Sequence, residues 1–317
     1  MHFPVSGVDV HPVIPFAVSF IISFFTSMGG VSGSFLLLPF QISVLGYTGP
    51  GASPTNLVYN FIAVPGGVYR YIREGRMAWP LAWLIIGGTL PGVFIGAIIR
   101  VRYLSDIHKF KYFIGAVLLY LAFRMFYDLT PLAGDKITKA RALETGFRGK
   151  AAHGPFQKSP PREKSGIIRT VDLSWRRYTY EFYGETFSLN IIGLFFFTFI
   201  IGIIGGTYGI GGAAIVAPFL LTFFGLPVYT IAGATLMGNF ITSIAGVFFY
   251  SLIASFYKDT GISISPDWAL GIILGAGGFM GIYFGAAMQR YFPARIIKVS
   301  LVVISLLLAL EYLLKIY

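Results

Sequence analysis

Long apolar runs separated by short polar turns dominate the hydropathy pattern of this chain. A helix needs about 20 apolar residues to span a bilayer. Two runs, residues 13–45 and 188–225, are much longer than one span and contain no charged residue. The pattern predicts an all-α polytopic membrane protein with eight elements, at residues 13–45, 54–73, 79–99, 109–128, 188–225, 229–257, 268–289 and 295–317.

Glycine clusters interrupt both long runs, most densely in the sequence Gly-Gly-Thr-Tyr-Gly-Ile-Gly-Gly at 205–212. Glycine weakens a helix, and a membrane tolerates unpaired backbone only where it lines a cavity or is buried in protein. Each long run is therefore predicted to be a broken helix that enters and leaves on one side as a hairpin. Close packing of helices through small residues is the alternative reading of the cluster.

The second half of the chain repeats the first. An offset of 179 residues aligns Gly30 with Gly209 and Asn60 with Asn239, and an offset of 189 then continues the match. Paired segments interrupted by glycine or proline at matching places in two halves indicate the binding site of a transporter. With five segments in each half, counting each broken helix as two, the halves are predicted to be inverted repeats.

We divide the chain into an N-terminal transmembrane repeat (1–128), a polar linker (129–187) and a C-terminal transmembrane repeat (188–317). Within the linker, 136–147 resembles a short surface helix, 154–166 is proline-rich, and 171–187 alternates aromatic and polar residues as a β-hairpin does. The linker is interpreted as a tether between the repeats, with a regulatory or partner-binding insert as the alternative.

Composition agrees with a membrane protein, since 56% of the 317 residues are hydrophobic and only 12% are charged. The net charge of +11 fits basic cytoplasmic loops. It is weak evidence for nucleic-acid binding, because the sequence has no basic run interleaved with aromatic residues. The chain contains no cysteine, and its four histidines lie near loops or termini. Neither a metal site nor a cofactor is expected.

The candidate site consists of the two glycine breaks and the polar side chains beside them. A half-helix follows each break, at 34–45 and 213–224, and the N-terminus of a helix offers free N–H groups to an anion. Asn60 and Asn239 occupy equivalent positions, with an interhelical hydrogen bond as their alternative role. The predicted substrate-binding residues are Gly30, Ser32, Gly33, Ser34, Asn60, Thr207, Gly209, Gly211, Gly212 and Asn239.

Ionisable residues are expected only near the ends of the spans. Arg124 is expected to snorkel to the membrane surface, and Arg100 to lie in the loop after the third span. Without a deep carboxylate, a uniporter and a proton-coupled carrier both fit the sequence. An anion channel remains an alternative, whereas an intramembrane enzyme lacks a nucleophile–base pair, and the oligomeric state, including a homo-oligomer, stays open.

Three motifs give the chain a family resemblance: Gly-Ile-Gly-Gly at 209–212 with Pro218, its copy from Gly30 to Pro39, and Tyr-Ile-Arg-Glu-Gly-Arg-Met-Ala-Trp at 71–79. With them the chain resembles the TauE/SafE family of sulfite-exporter-like membrane permeases. The resemblance implies a multi-pass carrier in the inner (plasma) membrane that exports sulfite, or a related small sulfur oxyanion or sulfonate. A carrier of another small carboxylate or organosulfur anion is the alternative. The first copy departs from the family pattern, because it has serine at positions 32 and 34.

Overall fold

A computed structural model describes residues 1–29, 32–73, 75, 77–127, 129, 168–182, 185–224, 226, 228–257, 263–288 and 294–314. Within these residues the protein is mostly helical, and six helices are long and apolar enough to cross a membrane. The helices are α1 (Val13–Gly29), α2 (Ser34–Pro39), α3 (Ala52–Ala63), α4 (Pro65–Arg73), α5 (Trp79–Arg102), α6 (Ile107–Tyr127), α7 (Ile191–Tyr208), α8 (Val216–Phe224), α9 (Val228–Phe256), α10 (Trp268–Met288) and α11 (Ala294–Leu314).

Two small antiparallel sheets accompany the helices. Strands β1 (His2–Phe3) and β2 (Val8–Asp9) form a hairpin before α1. Strands β3 (Arg169–Leu173), β4 (Arg177–Phe182) and β5 (Glu185–Asn190) form a sheet that leads directly into α7. The predicted hairpin at 171–187 is therefore part of a three-stranded sheet. The predicted surface helix at 136–147 and the proline-rich segment at 154–166 lie outside the described residues.

Both long apolar runs contain the predicted break. Helix α1 ends at Gly29 and α2 begins at Ser34, after which a π-helical turn (Phe40–Val44) completes the first run. Helix α7 ends at Tyr208, and α8 begins at Val216 rather than at the predicted residue 213. Gly209 ends α7 in the left-handed region with φ 89°, where a residue with a Cβ atom is strained.

Each broken helix is folded back as a hairpin, because its two ends contact the same part of the protein. At the first, the N–H of Gly51 donates to the Ser263 carbonyl (3.0 Å), and the Ser263 hydroxyl donates to the carbonyl of Val5, before α1 (2.9 Å). At the second, the three-stranded sheet runs into α7 and also reaches the first turn of α9. There the hydroxyl oxygens of Tyr180 and Thr230 lie 2.9 Å apart.

Equivalent helices of the two halves run in opposite directions. Helices α1 and α3 run parallel to α10, since Val58 and Ile62 face Gly271 and Gly275 in the same order. Helices α7 and α9 run parallel to α5 in the same way. In contrast, Leu57 faces Gly246 while Phe61 stacks on Phe240, so α3 and α9 are antiparallel. These directions are those of inverted repeats, whose sidedness in the membrane stays a prediction.

Stripes of glycine on α5 and α10 let neighbouring helices approach closely. Gly88, Gly92 and Gly96 face the backbone of α7, and Gly277, Gly281 and Gly285 face the backbone of α1. The third span of each half thus packs against the broken helix of the other half. The predicted packing role of both stripes is confirmed, and it fixes the helices that carry the breaks.

We expect Gly92→Ala to destabilise the protein by about 1–3 kcal/mol, because its methyl group would overlap the backbone of α7. Gly87, on the same helix, has no atom within 4 Å of the corresponding position, and Gly87→Ala is the matched control. Thermal unfolding in detergent should show a lower melting temperature for Gly92→Ala alone. Equal effects of the two substitutions would show that α5 and α7 do not pack through this stripe.

The inverted arrangement predicts that the α5–α6 turn and the three-stranded sheet lie on opposite sides of the membrane. Because the chain contains no cysteine, Ser105→Cys and Ser174→Cys each introduce a unique thiol. An impermeant maleimide added to sealed vesicles should label one of the two variants, and the other only after the vesicles are opened. Labelling of both from one side would contradict the arrangement.

Candidate functional site

A small cavity lies where the two broken helices meet. Its volume is about 10 Å³, close to the least that holds one water molecule. Residues from both breaks and from α6 line it: Ser32, Ser34, Phe35, Leu121, Met125, Ile210, Ala214 and Ile215. The cavity therefore belongs to both halves of the protein.

The side chain of Asn56, on α3, joins the two breaks directly. Its Nδ2 donates to the carbonyl of Ser34 at 2.9 Å and to the carbonyl of Gly209 at 3.0 Å. Its Oδ1 accepts from the Gln41 amide at 3.2 Å, so the whole side chain is satisfied in a buried position. One amide thus holds the start of α2 and the end of α7 together.

Asn60, one turn further along α3, also touches both breaks. Its Nδ2 donates to the carbonyl of Ile210 at 2.9 Å, and its Oδ1 accepts from the Ser32 hydroxyl at 3.4 Å. The hydroxyl oxygens of Ser32 and Ser34 are 2.8 Å apart. In this conformation the predicted donors Ser32, Ser34 and Asn60 are thus bonded to one another and to the second break.

Side chains from neighbouring helices donate hydrogen bonds to the carbonyl groups around the second break. The Tyr250 hydroxyl donates to Gly206 at 2.9 Å, and the Ser53 hydroxyl donates to Thr207 at 3.3 Å. Asn56 and Asn60 donate to the carbonyls of Gly209 and Ile210, as described above. A cation would find these oxygens already engaged, whereas an anion needs only donors.

Asn239 and Ser243 have an unusual environment beside Gly211. Both lie on the same face of α9 and are buried, and the two atoms of the Asn239 amide and the Ser243 hydroxyl have no hydrogen-bond partner among the described residues. A Cβ atom on Gly211 would overlap the Asn239 side chain and lie 2.9 Å from the Ser243 hydroxyl. Because a buried polar group without a partner costs about 1–3 kcal/mol, these atoms indicate a site for a polar ligand.

The other predicted residues line the breaks in different ways. Gly33 is the N-cap residue of α2, and Gly212 donates its N–H to the Thr242 hydroxyl at 3.1 Å. The Thr207 hydroxyl points towards the α5–α7 contact, where it donates to the carbonyls of Ile203 and Gly96. Gly209 lies against the backbone of Ser53, and Gly30 lies outside the described residues.

Arg100 is a residue that the sequence analysis placed wrongly. Instead of lying in a loop, its side chain is completely buried and donates to the Ser53 hydroxyl (3.2 Å) and to the carbonyls of Gly49 and Leu104. The guanidinium also lies 3.6 Å from the centre of the Phe110 ring. Through Ser53, it is connected to the Thr207 carbonyl at the end of α7. A positive charge therefore lies inside the protein, close to the second break.

Arg124 was also expected to reach the membrane surface, yet only 6% of it is exposed. Both arginines are four or fewer residues from the predicted end of a span, and hydropathy alone cannot distinguish snorkelling from burial there. Asn56 and Ser243 were not among the predicted site residues. Their spacing could have indicated them, since each lies four residues from a predicted site asparagine and so on the same helical face.

Apolar spanning helices, two folded-back broken helices and a cavity shared by both halves define a polytopic membrane transporter. The family model of the sulfite exporter TauE/SafE matches residues 15–312, and the chain belongs to this family. This confirms the resemblance noted in the sequence.

Two proteins of Bacillus subtilis (strain 168) are similar to this chain. The "Probable membrane transporter protein YdhB" is 33% identical over 96 residues, which cover 30% of this chain and only 35% of that relative. The "Probable membrane transporter protein YunE" is 22% identical over 242 residues, which cover 76% of this chain and 72% of that relative. No solved structure matches the chain.

The two equivalent asparagines should differ in their contribution to stability. Asn60→Ala removes the partner of a buried carbonyl and should cost about 1–3 kcal/mol, whereas Asn239→Ala removes only atoms that have no partner in the described ranges. Thermal unfolding without added anion should therefore show a lower melting temperature for Asn60→Ala and little change for Asn239→Ala. A large loss of stability in Asn239→Ala would assign this residue a packing role instead.

Proposed function

We propose that the protein exports sulfite, or a closely related small sulfur oxyanion or sulfonate, by alternating access. The observation that carries this proposal is the unpaired amide of Asn239 with the Ser243 hydroxyl beside Gly211. Membership of the sulfite exporter TauE/SafE family supports the choice of substrate.

The chemistry of the second break favours an anion. Asn239 offers two N–H donors and one carbonyl acceptor, and Ser243 offers one O–H donor, while the neighbouring backbone carbonyls are engaged by other side chains. The N-terminus of α8 adds the positive end of a helix dipole, and Arg100 adds a buried positive charge nearby. A compact anion with several oxygen atoms can accept from such converging donors.

The geometry of the cavity supports alternating access. A sulfite ion, with three oxygen atoms on sulfur, is larger than the single water molecule for which the cavity has room. Its walls come from both halves of the protein, and Asn56 and Asn60 bond them together. The halves must therefore part for the anion to enter, and we assign this conformation to a closed state between two open ones.

Coupling, oligomeric state and location complete the proposal. No acidic side chain lines the cavity among the described residues, so a uniporter driven by the gradient and membrane potential fits as well as proton coupling. We propose that the protein lies in the plasma membrane, and a homo-oligomer is compatible with its apolar outer face.

A thermal-shift panel of the purified protein tests the proposal. We expect sulfite to raise the melting temperature, since an anion at about 100 times its Kd adds roughly 2.7 kcal/mol to the free energy of unfolding. Asn239→Ala and Ser243→Ala should lose this shift. Ser251→Ala, on the same helix, should keep it, because the Ser251 hydroxyl is bonded to its own helix backbone at Val247 (2.8 Å).

The panel also contains sulfate, thiosulfate, short sulfonates, short carboxylates, metal cations and neutral solutes. Stabilisation by cations or neutral solutes, but by no anion, would contradict the anion site. Stabilisation by carboxylates alone would keep the site and reject the sulfur substrate.

A further inference from the structure

The turn between β3 and β4 exposes a large aromatic side chain beside two positive charges. Trp175 is 87% exposed, and Arg176 and Arg177 next to it are exposed as well. Val171 and Leu173, on β3, are 55% and 57% exposed. We call these five residues the Trp175 surface. If this surface faced water, its apolar side chains would stay hydrated, which is unfavourable.

The Trp175 surface lies at the level where a transmembrane helix begins. The N–H of Ile191, the first residue of α7, donates to the carbonyl of Arg176 at 3.1 Å. Strand β5 continues into α7 without an intervening loop. Because α7 consists almost entirely of apolar residues, its first turn marks the boundary between the membrane and water.

The exposed side chains are not needed to hold the sheet together. Alternate residues of β4, namely Tyr178, Tyr180 and Phe182, are buried and supply the packing of the sheet. The Tyr180 ring stacks on Tyr178 and on Phe187, and its hydroxyl reaches Thr230. The Trp175 surface therefore extends from a sheet that is already anchored to the protein.

The charge distribution predicts that this surface faces the leaflet where anionic lipids are concentrated. Helix α4 ends at the same end of the bundle, beside the start of α9, with Arg70 and Arg73 in its last turn. The linker sequence that comes after α6 is rich in lysine and arginine. The positive-inside rule assigns this end to the cytoplasm. The cytoplasmic leaflet carries a negative surface potential, and tryptophan favours the headgroup level.

We propose that the Trp175 surface binds anionic phospholipid headgroups of the adjacent leaflet. The Arg176 and Arg177 guanidinium groups pair with headgroup phosphates, while Trp175, Leu173 and Val171 enter the interface between headgroups and acyl chains. Bound lipid thereby holds the sheet that is connected to the start of the second broken helix, at Ile191, and to the first turn of α9, at Thr230. This inference does not depend on the identity of the transported substrate.

The full-length protein in nanodiscs of phosphatidylcholine, with or without phosphatidylglycerol, tests the proposal. Phosphatidylglycerol should raise the melting temperature of the wild type at low salt, and less so at high salt. The triple variant Trp175→Ala, Arg176→Gln, Arg177→Gln should lose this gain. Each basic side chain near an anionic surface contributes about fivefold to binding, so the variant should bind phosphatidylglycerol roughly 30-fold more weakly.

A matched variant at the opposite end of the bundle is the control. Trp268→Ala, Arg102→Gln, Lys109→Gln also removes one exposed tryptophan and two exposed basic side chains, and it should keep the gain. If the Trp175 variant kept the full gain, or if the control lost as much, the proposal would be wrong.

A second measurement on a protein with a native turn keeps the proposal testable if the triple variant does not fold. Replacing Trp79, Trp83 and Trp268 by phenylalanine leaves Trp175 as the single tryptophan. Lipids brominated near the headgroup should quench its fluorescence. Fluorescence unaffected by these lipids would show that the Trp175 surface stays in water.

Discussion

A helix that is broken inside a membrane exposes backbone carbonyl and N–H groups that lipid cannot satisfy. In this protein, one short segment of α3 supplies much of what the breaks require. Ser53, Asn56 and Asn60 bond carbonyls of the second break, and Asn56 also bonds the first. The rest of the arrangement depends on this network, because without it two unpaired backbone segments could not meet inside the bilayer. The glycine stripes on α5 and α10 then hold the broken helices close enough for α3 to reach both.

Symmetry in packing and asymmetry at the site coexist in this structure. The third span of each half packs on the broken helix of the other half, as a repeat requires. Yet both ends of the Asn60 amide are bonded, whereas the equivalent Asn239 has no partner among the residues that the structure describes. Ser243, beside it, is equivalent to the apolar Val64. The repeat thus gives the two halves the same helix arrangement. Their side chains have diverged, so that Asn60 holds the breaks together and Asn239 is available to a ligand.

Much of the fold could be predicted, since the length of the apolar runs, the glycine clusters and the repeat can all be read directly from the order of residues. The breaks after Gly29 and Tyr208 and the packing role of Gly88, Gly92 and Gly96 are confirmed. The bonding of the polar residues could not be predicted. Nothing in the sequence distinguishes Asn60 from the equivalent Asn239 in this respect. The Asn60 amide donates to the carbonyl of Ile210, 150 residues away, whereas Asn239 has no partner in the described part of the chain.

The position of Arg100 shows the same limit for charges. Hydropathy placed it just beyond a span, where a basic residue is ordinary. Its burial depends on Gly49, Ser53 and Leu104, which approach only after the chain has folded back, and on the ring of Phe110. A hydroxyl, two carbonyls and an aromatic ring thus bind the guanidinium in place of a carboxylate. A search of the sequence for an acidic partner would therefore miss the burial of Arg100.

Separation of the two breaks during transport is the central claim of this account. Ser32 and Ile210 lie on opposite breaks, and the side chain of Asn60 bonds both. In the cysteine-free protein, Ser32→Cys with Ile210→Cys can be joined by a short thiol-specific cross-linker, and sulfite flux can then be measured in proteoliposomes. The account predicts that flux stops when the pair is cross-linked and returns after the link is cleaved. Undiminished flux through fully cross-linked protein would contradict it.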